Sequence, residues 1–267
     1  MGLPEPSTSS TALVTGASSG IGAAIARELA SRGHAVALVA RREERLRSLA
    51  TEIESELQVP AETIVCDLGD PAERGRLVEE LRGRGRAVEV LVNNAGFGLQ
   101  ADFATSPRER VLEMVRVNVE AVVDLTSLLL PGMLERARGS VINIASTAAF
   151  QPLPGSAVYA ATKSFVLSFS EAIRTELRGS GVSVTAVCPG PIRTEFTDVA
   201  GVGGIEDRTP GAVWMSAEEL ARQAVDGSER DKRVVVPGML NRASALAGQH
   251  SPRAVALPLI SRFWRNI

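Results

Sequence analysis

The chain has only two histidines and two cysteines in 267 residues, and that scarcity removes whole classes of chemistry. His34 and His250 stand beside no nucleophile motif, which sets aside a Ser-His-Asp hydrolase. Two histidines and two scattered cysteines give no metal-ligand spacing, so no metal is expected. Cys66 and Cys188 lie inside apolar runs and read as buried thiols of a reducing compartment, not as a disulfide pair. An excess of one charge is lacking too: 29 Lys+Arg face 31 Asp+Glu. A groove that tracks nucleic acid needs a basic excess, so no nucleic-acid partner is expected. No run of about 18 uncharged apolar residues occurs, so no transmembrane segment is expected. The first ten residues have neither a basic start nor an apolar core, and Pro6 stands where a myristoylation signal needs Ser or Thr. The expectation is a soluble, cytoplasmic protein. Aromatics are sparse at 4%, with a single tyrosine, Tyr159.

What is present is apolar and alternating. Hydrophobic residues make up 45% of the chain, enough for one large domain. Short apolar runs at residues 12–15, 35–40, 63–66, 88–92, 140–145, 182–188 and 233–236 read as strands. Helical patterns separate them at 21–32, 43–57, 71–84, 107–134, 157–178 and 216–229. Strands that are apolar throughout and joined by helices form a parallel sheet covered on both faces. The fold class expected is therefore α/β: a single Rossmann-type doubly wound domain with a seven-stranded parallel sheet. Residues 1–10 read as a flexible N-terminus, 11–237 as the cofactor-binding and catalytic domain, and 238–267 as an apolar helical extension. In that extension leucines and Phe263 and Trp264 alternate with arginines. It could lie on a membrane surface, close as a lid, or pack on the domain or a neighbouring subunit; the last is favoured.

Thr15-Gly-Ala-Ser-Ser-Gly-Ile-Gly22 follows the first strand and opens the first helix. Gly16, Gly20 and Gly22 allow a tight turn, and with Ser18, Ser19 and Ile21 they bring a pyrophosphate to free N–H groups at a helix N-terminus. The second strand ends Val39-Ala-Arg-Arg42, with no acid before Glu43 to hold a ribose 2′-hydroxyl. Arginines pair with a 2′-phosphate, so the pattern points to NADP(H), with Arg41 preferred over Arg42 as its partner. Further on, Tyr159 and Lys163 stand four residues apart on one helix face. A lysine cation beside a phenol favours the phenolate and so draws the tyrosine pKa toward neutrality. Alone, such a pair is common; here it uses the only tyrosine. Ser146, at the end of the fifth strand, precedes it by thirteen residues (159 − 146). Strand C-termini are where ligands sit in open α/β sheets, and a hydroxyl there can polarise a carbonyl.

These motifs together resemble the short-chain dehydrogenase/reductase family over nearly the whole chain. The resemblance covers the turn from Thr15 to Gly22; Asp67 with Leu68, as the adenine contact; and Asn93-Asn94-Ala95-Gly96 after the fourth strand. It extends to Asn118 in the long helix, to Ser146, Tyr159 and Lys163, and to Pro189-Gly190-Pro-Ile192-Arg-Thr194, which would hold the nicotinamide carboxamide. It implies an NADP(H)-dependent oxidoreductase moving a hydride between the nicotinamide and a carbonyl or secondary-alcohol carbon. In that scheme Tyr159 is the acid/base, Lys163 lowers its pKa and holds ribose hydroxyls, Ser146 orients the carbonyl, and Asn118 holds a relay water and settles a local break in its helix. Tyr159 and Lys163 thus belong to both the catalytic and the cofactor sets. It also implies a homodimer or homotetramer. The alternative is a cofactor-binding sensor or scaffold without turnover, which would have no need of both Tyr159 and Lys163. The loop after Thr194, with Phe196, Val199 and Val202, suggests a small-molecule substrate that is apolar or mixed.

Overall fold

A computed structural model describes residues 2–192, 214–251, 253, 254, 257 and 258. Seven strands form one sheet in the order β3-β2-β1-β4-β5-β6-β7, every pair parallel. They are β1 Ser10–Thr15, β2 Val36–Ala40, β3 Ala61–Val65, β4 Ala87–Asn93, β5 Gly139–Ile144, β6 Val182–Val187 and β7 Val234–Val235. The chain winds outward from β1 in one direction and from β4 in the other. A crevice therefore opens at the C-terminal ends of β1 and β4, where such sheets bind ligands.

Helices cover both faces. α1 (Gly20–Ser31), α2 (Glu43–Leu57) and α7 (Ala217–Glu229) bury Ile25, Leu29, Leu46, Ile53, Leu220 and Val225 against Val14, Leu38, Val92 and Ile142. On the opposite face, α3 (Pro71–Gly83) and α5 (Ala121–Glu135) bury Leu77, Leu81, Leu125 and Met133 against Leu13, Val39, Leu91 and Val141. Neighbouring residues of β1 serve opposite layers because strand side chains alternate faces. α6 (Ala157–Glu176) packs Val166 and Leu167 on Val122, Ala145 and Cys188.

The long helix expected over 107–134 is interrupted. α4 (Arg108–Val115) passes into a π turn, Arg116–Glu120, and then into α5. Residues 108–135 are long and apolar enough to cross a membrane by length and composition. Here they lie on the sheet: Leu125 and Met133 are in the core, and buried Arg74 pairs with Glu120 and Asp124.

The N-terminal segment is tied to the body. Arg86 donates to the Thr8 carbonyl at 2.9 Å and Arg138 to that of Glu5, along the segment expected to be flexible. Further along the chain, α8 (Met239–His250) packs on a short 3₁₀ turn, Thr147–Phe150, just after β5.

Candidate active site

The crevice is built first by a clamp between two strand ends. Thr15 Oγ1 donates to the Val92 carbonyl at 3.0 Å and accepts from the N–H groups of Asn94 and Ala95 at 2.9 and 3.1 Å. Asn94 Nδ2 donates back to the Thr15 carbonyl at 2.8 Å. The glycine turn presses on that clamp. Gly16 has φ +67, and a Cβ there would stand 2.8 Å from Asn94 Nδ2 and 2.9 Å from Ala95 Cα. A Cβ on Gly22 would stand 2.3 Å from the Gly16 carbonyl oxygen. These two glycines are demanded by close approach of backbone to backbone. Thr15 is a site-building residue that the motif alone does not flag. Its signal in the sequence is a hydroxyl at the last position of the first strand.

α1 begins where the turn ends. Ser19, its N-cap, makes no side-chain bond to the first turn, which leaves those N–H groups for an anion. Both arginines expected at the 2′-phosphate reach this end of the sheet and do different things. Arg42 lies over the turn, with Nη2 donating to Ser19 Oγ at 2.6 Å and to Ser18 Oγ at 3.0 Å. Arg41, the sequence-based preference, pairs with Glu113 of α4 at 3.5 Å. Just after β3, Asp67 Oδ1 accepts from the Gly69 N–H at 2.9 Å, and the residue is exposed. Leu68 turns its side chain into the core and offers its carbonyl to Arg74 Nη1 at 2.7 Å.

The chemical groups converge from β5, the π turn and α6. Asn118 is fully buried. Its Oδ1 accepts from Phe97 N at 3.1 Å, and its Nδ2 donates to the Phe97 carbonyl at 2.9 Å and to Thr162 Oγ1 at 3.2 Å. This reciprocal pair pins the backbone after Gly96. A Cβ on Gly96 would stand 3.0 Å from Asn118 Oδ1 and 3.5 Å from Lys163 Nζ, so the glycine keeps the centre open. Ser146 caps the 3₁₀ turn, accepting from the Ala148 N–H at 3.1 Å, and is hydrogen-bonded to Tyr159. Lys163 Nζ donates to the Ile144 carbonyl at 2.8 Å and stands 5.9 Å from the Tyr159 ring centre.

Burial moves the two titrating groups in opposite directions. It pushes the Tyr159 phenol up to about 12, with the Ser146 hydrogen bond opposing. It pulls the Lys163 ammonium down to about 8, with Cys188 opposing. The sequence-based expectation is a tyrosine pKa lowered by lysine; here loss of solvation pushes the phenol up, and the effect that opposes it is the Ser146 hydrogen bond. Cys188 is itself pushed up to about 12 by burial, which makes it an inert thiol.

A hydroxyl hydrogen-bonded to a phenol, with a lysine behind it at the crevice of a doubly wound sheet, is an arrangement with relatives. A family model described as short chain dehydrogenase matches residues 10–201. The chain belongs to the short-chain dehydrogenase family. It is 40% identical over 223 residues to sulfoacetaldehyde reductase 2 of Chromohalobacter salexigens, covering 78% of this chain and 84% of that protein. It is 37% identical over 215 residues to an NADP-dependent 3-hydroxy acid dehydrogenase of Salmonella typhi, covering 80% and 84%. Among solved structures, a short-chain dehydrogenase from Sphingobium yanoikuyae in complex with NADPH superposes with a TM-score of 0.80. The two share 35% identity, over 94% of this chain and 95% of that one. The chain is thus an oxidoreductase acting on CH–OH and C=O groups.

In this short-chain dehydrogenase the remaining site segment lies after β6. The Pro189 carbonyl accepts from Thr147 N at 2.8 Å, which ties the segment to the turn that Ser146 caps. Gly190 backs onto Asn241 of α8, and Ile192 bridges to Met215. Thr194 and the loop bearing Phe196, Val199 and Val202 lie outside the described residues. Below the site, Asn93 Nδ2 donates to Asn143 Oδ1 at 2.9 Å and Asn143 Nδ2 to Ser170 Oγ at 2.8 Å, a buried ladder joining β4, β5 and α6. Asn93 belonged to a recognised motif without a role of its own; its partners Asn143 and Thr126, 50 and 33 residues away, do not show in local spacing.

Proposed function

We propose that this dehydrogenase is an NADP(H)-dependent carbonyl reductase or alcohol dehydrogenase with Tyr159 as its acid/base. The observation that carries the reading is the Ser146–Tyr159 hydrogen bond with Lys163 behind it, beside a glycine cradle that a Cβ would fill. That cradle fits a dinucleotide. The backbone of Gly16 and of Ser18 to Gly22 approaches the pyrophosphate at the α1 N-terminus. Arg42, placed over Ser18 and Ser19, would hold the 2′-phosphate, with Arg41, paired to Glu113, as the second candidate. Asp67 and the Leu68 backbone bound the adenine, and Asn94, Ala95 and Gly96 form the floor. Pro189, Gly190 and Ile192 would hold the carboxamide. When bound, NADPH supplies the hydride.

The protein's own groups handle the proton and the geometry. A phenol with a pKa of about 12 is protonated at neutral pH, the form needed to donate to a carbonyl oxygen. Ser146 Oγ offers a second polar contact to that oxygen. Lys163, nine-tenths buried and charged below about 8, is placed to hold ribose hydroxyls and to stabilise charge on the phenol. The Asn118 amide is committed to Phe97 and Thr162, so a relay water would bind at the main chain of the π turn, which the side chain holds in shape. The buried thiols favour a cytoplasmic setting. Val115, Leu134 and Phe165, exposed on the long helices, favour a homodimer or homotetramer. Nothing observed favours a sensor without turnover.

The test is a panel of carbonyl compounds, from short acidic aldehydes such as sulfoacetaldehyde through 3-oxo acids to bulky apolar ketones, with loss of NADPH absorbance as the readout and NADH in parallel. We expect turnover with NADPH over NADH and preference for apolar or mixed ketones. Tyr159→Phe should keep cofactor binding and lose about 10³-fold or more in kcat. Near-normal turnover by Tyr159→Phe refutes the mechanism, and a preference for NADH refutes the arginine assignment.

A further inference from the structure

α8 is built inside out at its start. Met239 and Leu240 are 88% and 52% exposed, while Asn241 beside them is 4% exposed. Hydrophobic burial alone gives the opposite order, because a buried amide is costly unless its polar atoms are engaged. The Asn241 side chain is engaged locally: Nδ2 donates to the Pro237 carbonyl at 3.1 Å, which fixes the amide at the first turn of the helix.

That fixed amide faces Gly190. A Cβ on Gly190 would stand 2.3 Å from Asn241 Oδ1, 2.4 Å from Cγ and 2.5 Å from Nδ2. Three nearly equal distances mean that the plane of the amide lies flat over the glycine. The segment at 189–192 is thus held from two sides, by Thr147 N on the Pro189 carbonyl at 2.8 Å and by the Asn241 plane on Gly190. The same helix reaches the serine turn. A Cβ on Gly248, seven residues and about 10 Å along α8, would stand 2.9 Å from Gln151 Oε1, just beyond the turn that Ser146 caps.

We propose that Asn241 is a positioning residue for the nicotinamide end of the site: its amide sets where Gly190 and its neighbours stand, and α8 thereby braces the carboxamide segment and the serine turn together. The proposal rests on the NADP(H) reading above and adds a residue to it. It makes the C-terminal helix part of the geometry of hydride transfer.

The experiment compares two ligands on the full chain. NADPH carries the nicotinamide; adenosine 2′,5′-bisphosphate carries only the adenine-side phosphates. Asn241→Ala should weaken NADPH by about tenfold while leaving the bisphosphate within about twofold, and should shift the fluorescence of bound NADPH. Gly190→Ala, which drives a methyl into the amide, should do the same from the other side. The double variant should bind NADPH more tightly than Gly190→Ala alone, because removing the amide makes room for the methyl. Equal weakening of both ligands, unchanged NADPH binding, or additive effects of the two substitutions each overturn the proposal. Should Asn241→Ala fail to fold, the Gly190→Ala comparison decides on its own. Wild-type protein that binds the bisphosphate but gains nothing from the nicotinamide half overturns the reading beneath it as well, a result distinct from equal weakening in the variants.

Discussion

Tyr159 and Lys163 share one environment, and it pushes their pKa values apart: the phenol to about 12, the ammonium to about 8. The consequence for pH can be worked out. In reduction the phenol must carry its proton, and it does so throughout the ordinary range. Lys163 is charged below about 8 and neutral above it, so the limb that appears near neutrality belongs to the lysine. The kcat/KM for NADPH should be level at lower pH and fall as pH rises through about 8, with one proton involved. Oxidation needs the phenolate and should instead keep rising with pH. Lys163→Met should be weaker at every pH and lose the limb. A pH profile for each direction checks this; a reduction profile flat well above 8, or a limb that survives in Lys163→Met, would contradict it. The identity of the pair was legible in the sequence because one tyrosine stands four residues from one lysine. The direction of the shifts was not, because neither the lost solvation of the half-buried phenol and the buried ammonium nor the hold of the Ile144 carbonyl on Nζ has any local signature.

At the scale of elements, the piece that joins the two ends of the site is α3 through Arg74. This arginine is 1% exposed and donates to Leu68 O at 2.7 Å, and to Glu120 and Asp124 at 2.5 Å each. It ties the loop of Asp67 to the π turn of Asn118. Its partners are 50% and 33% exposed, so they can regain water if it is removed, and the loss is smaller than for a fully buried pair. Arg74→Met should cost about 2 kcal/mol in urea unfolding, and Glu120→Gln under about 1 kcal/mol. A more stable Arg74→Met would mean that desolvation of the guanidinium exceeds what its bonds return. Helices α2, α3 and α6 were legible from apolar spacing; the structure adds caps such as Asp70, whose carboxylate accepts from Ala72 N at 2.8 Å. The π turn was legible only as the local break that the resemblance attaches to Asn118, since Val115 to Glu120 continues a helical pattern and the partner of the Asn118 amide, Phe97, lies 21 residues earlier. Arg74 was invisible for a similar reason. In a helix rich in Glu and Arg it looks like one more solvated charge, and its carboxylate partners lie 46 and 50 residues on.

For the whole molecule, the order β3-β2-β1-β4-β5-β6-β7 brings the glycine turn, the arginines and the catalytic groups to one crevice from segments spread between residues 15 and 190. The strand alternation made this legible, since a parallel sheet wound both ways from its centre has one place for a dinucleotide. A ligand that needs all of those segments binds only the folded chain, so it stabilises the fold by mass action. At a concentration of about 100 Kd, NADPH should contribute about 2.7 kcal/mol, a rise in Tm of about 5–10 °C for a chain of this size. NADH at the same concentration lacks the 2′-phosphate that Arg42 faces and should give a clearly smaller rise. Arg42→Ala should bring the NADPH shift down to the NADH shift and leave the NADH shift where it was, since the Ser18 and Ser19 hydroxyls that Arg42 bonds remain. Arg41→Ala should lose less, because that side chain is already paired with Glu113. If instead Arg41→Ala abolishes the difference between the cofactors and Arg42→Ala does not, the sequence-based preference for Arg41 is restored, and the bonds of Arg42 to the two serines serve to shape the turn.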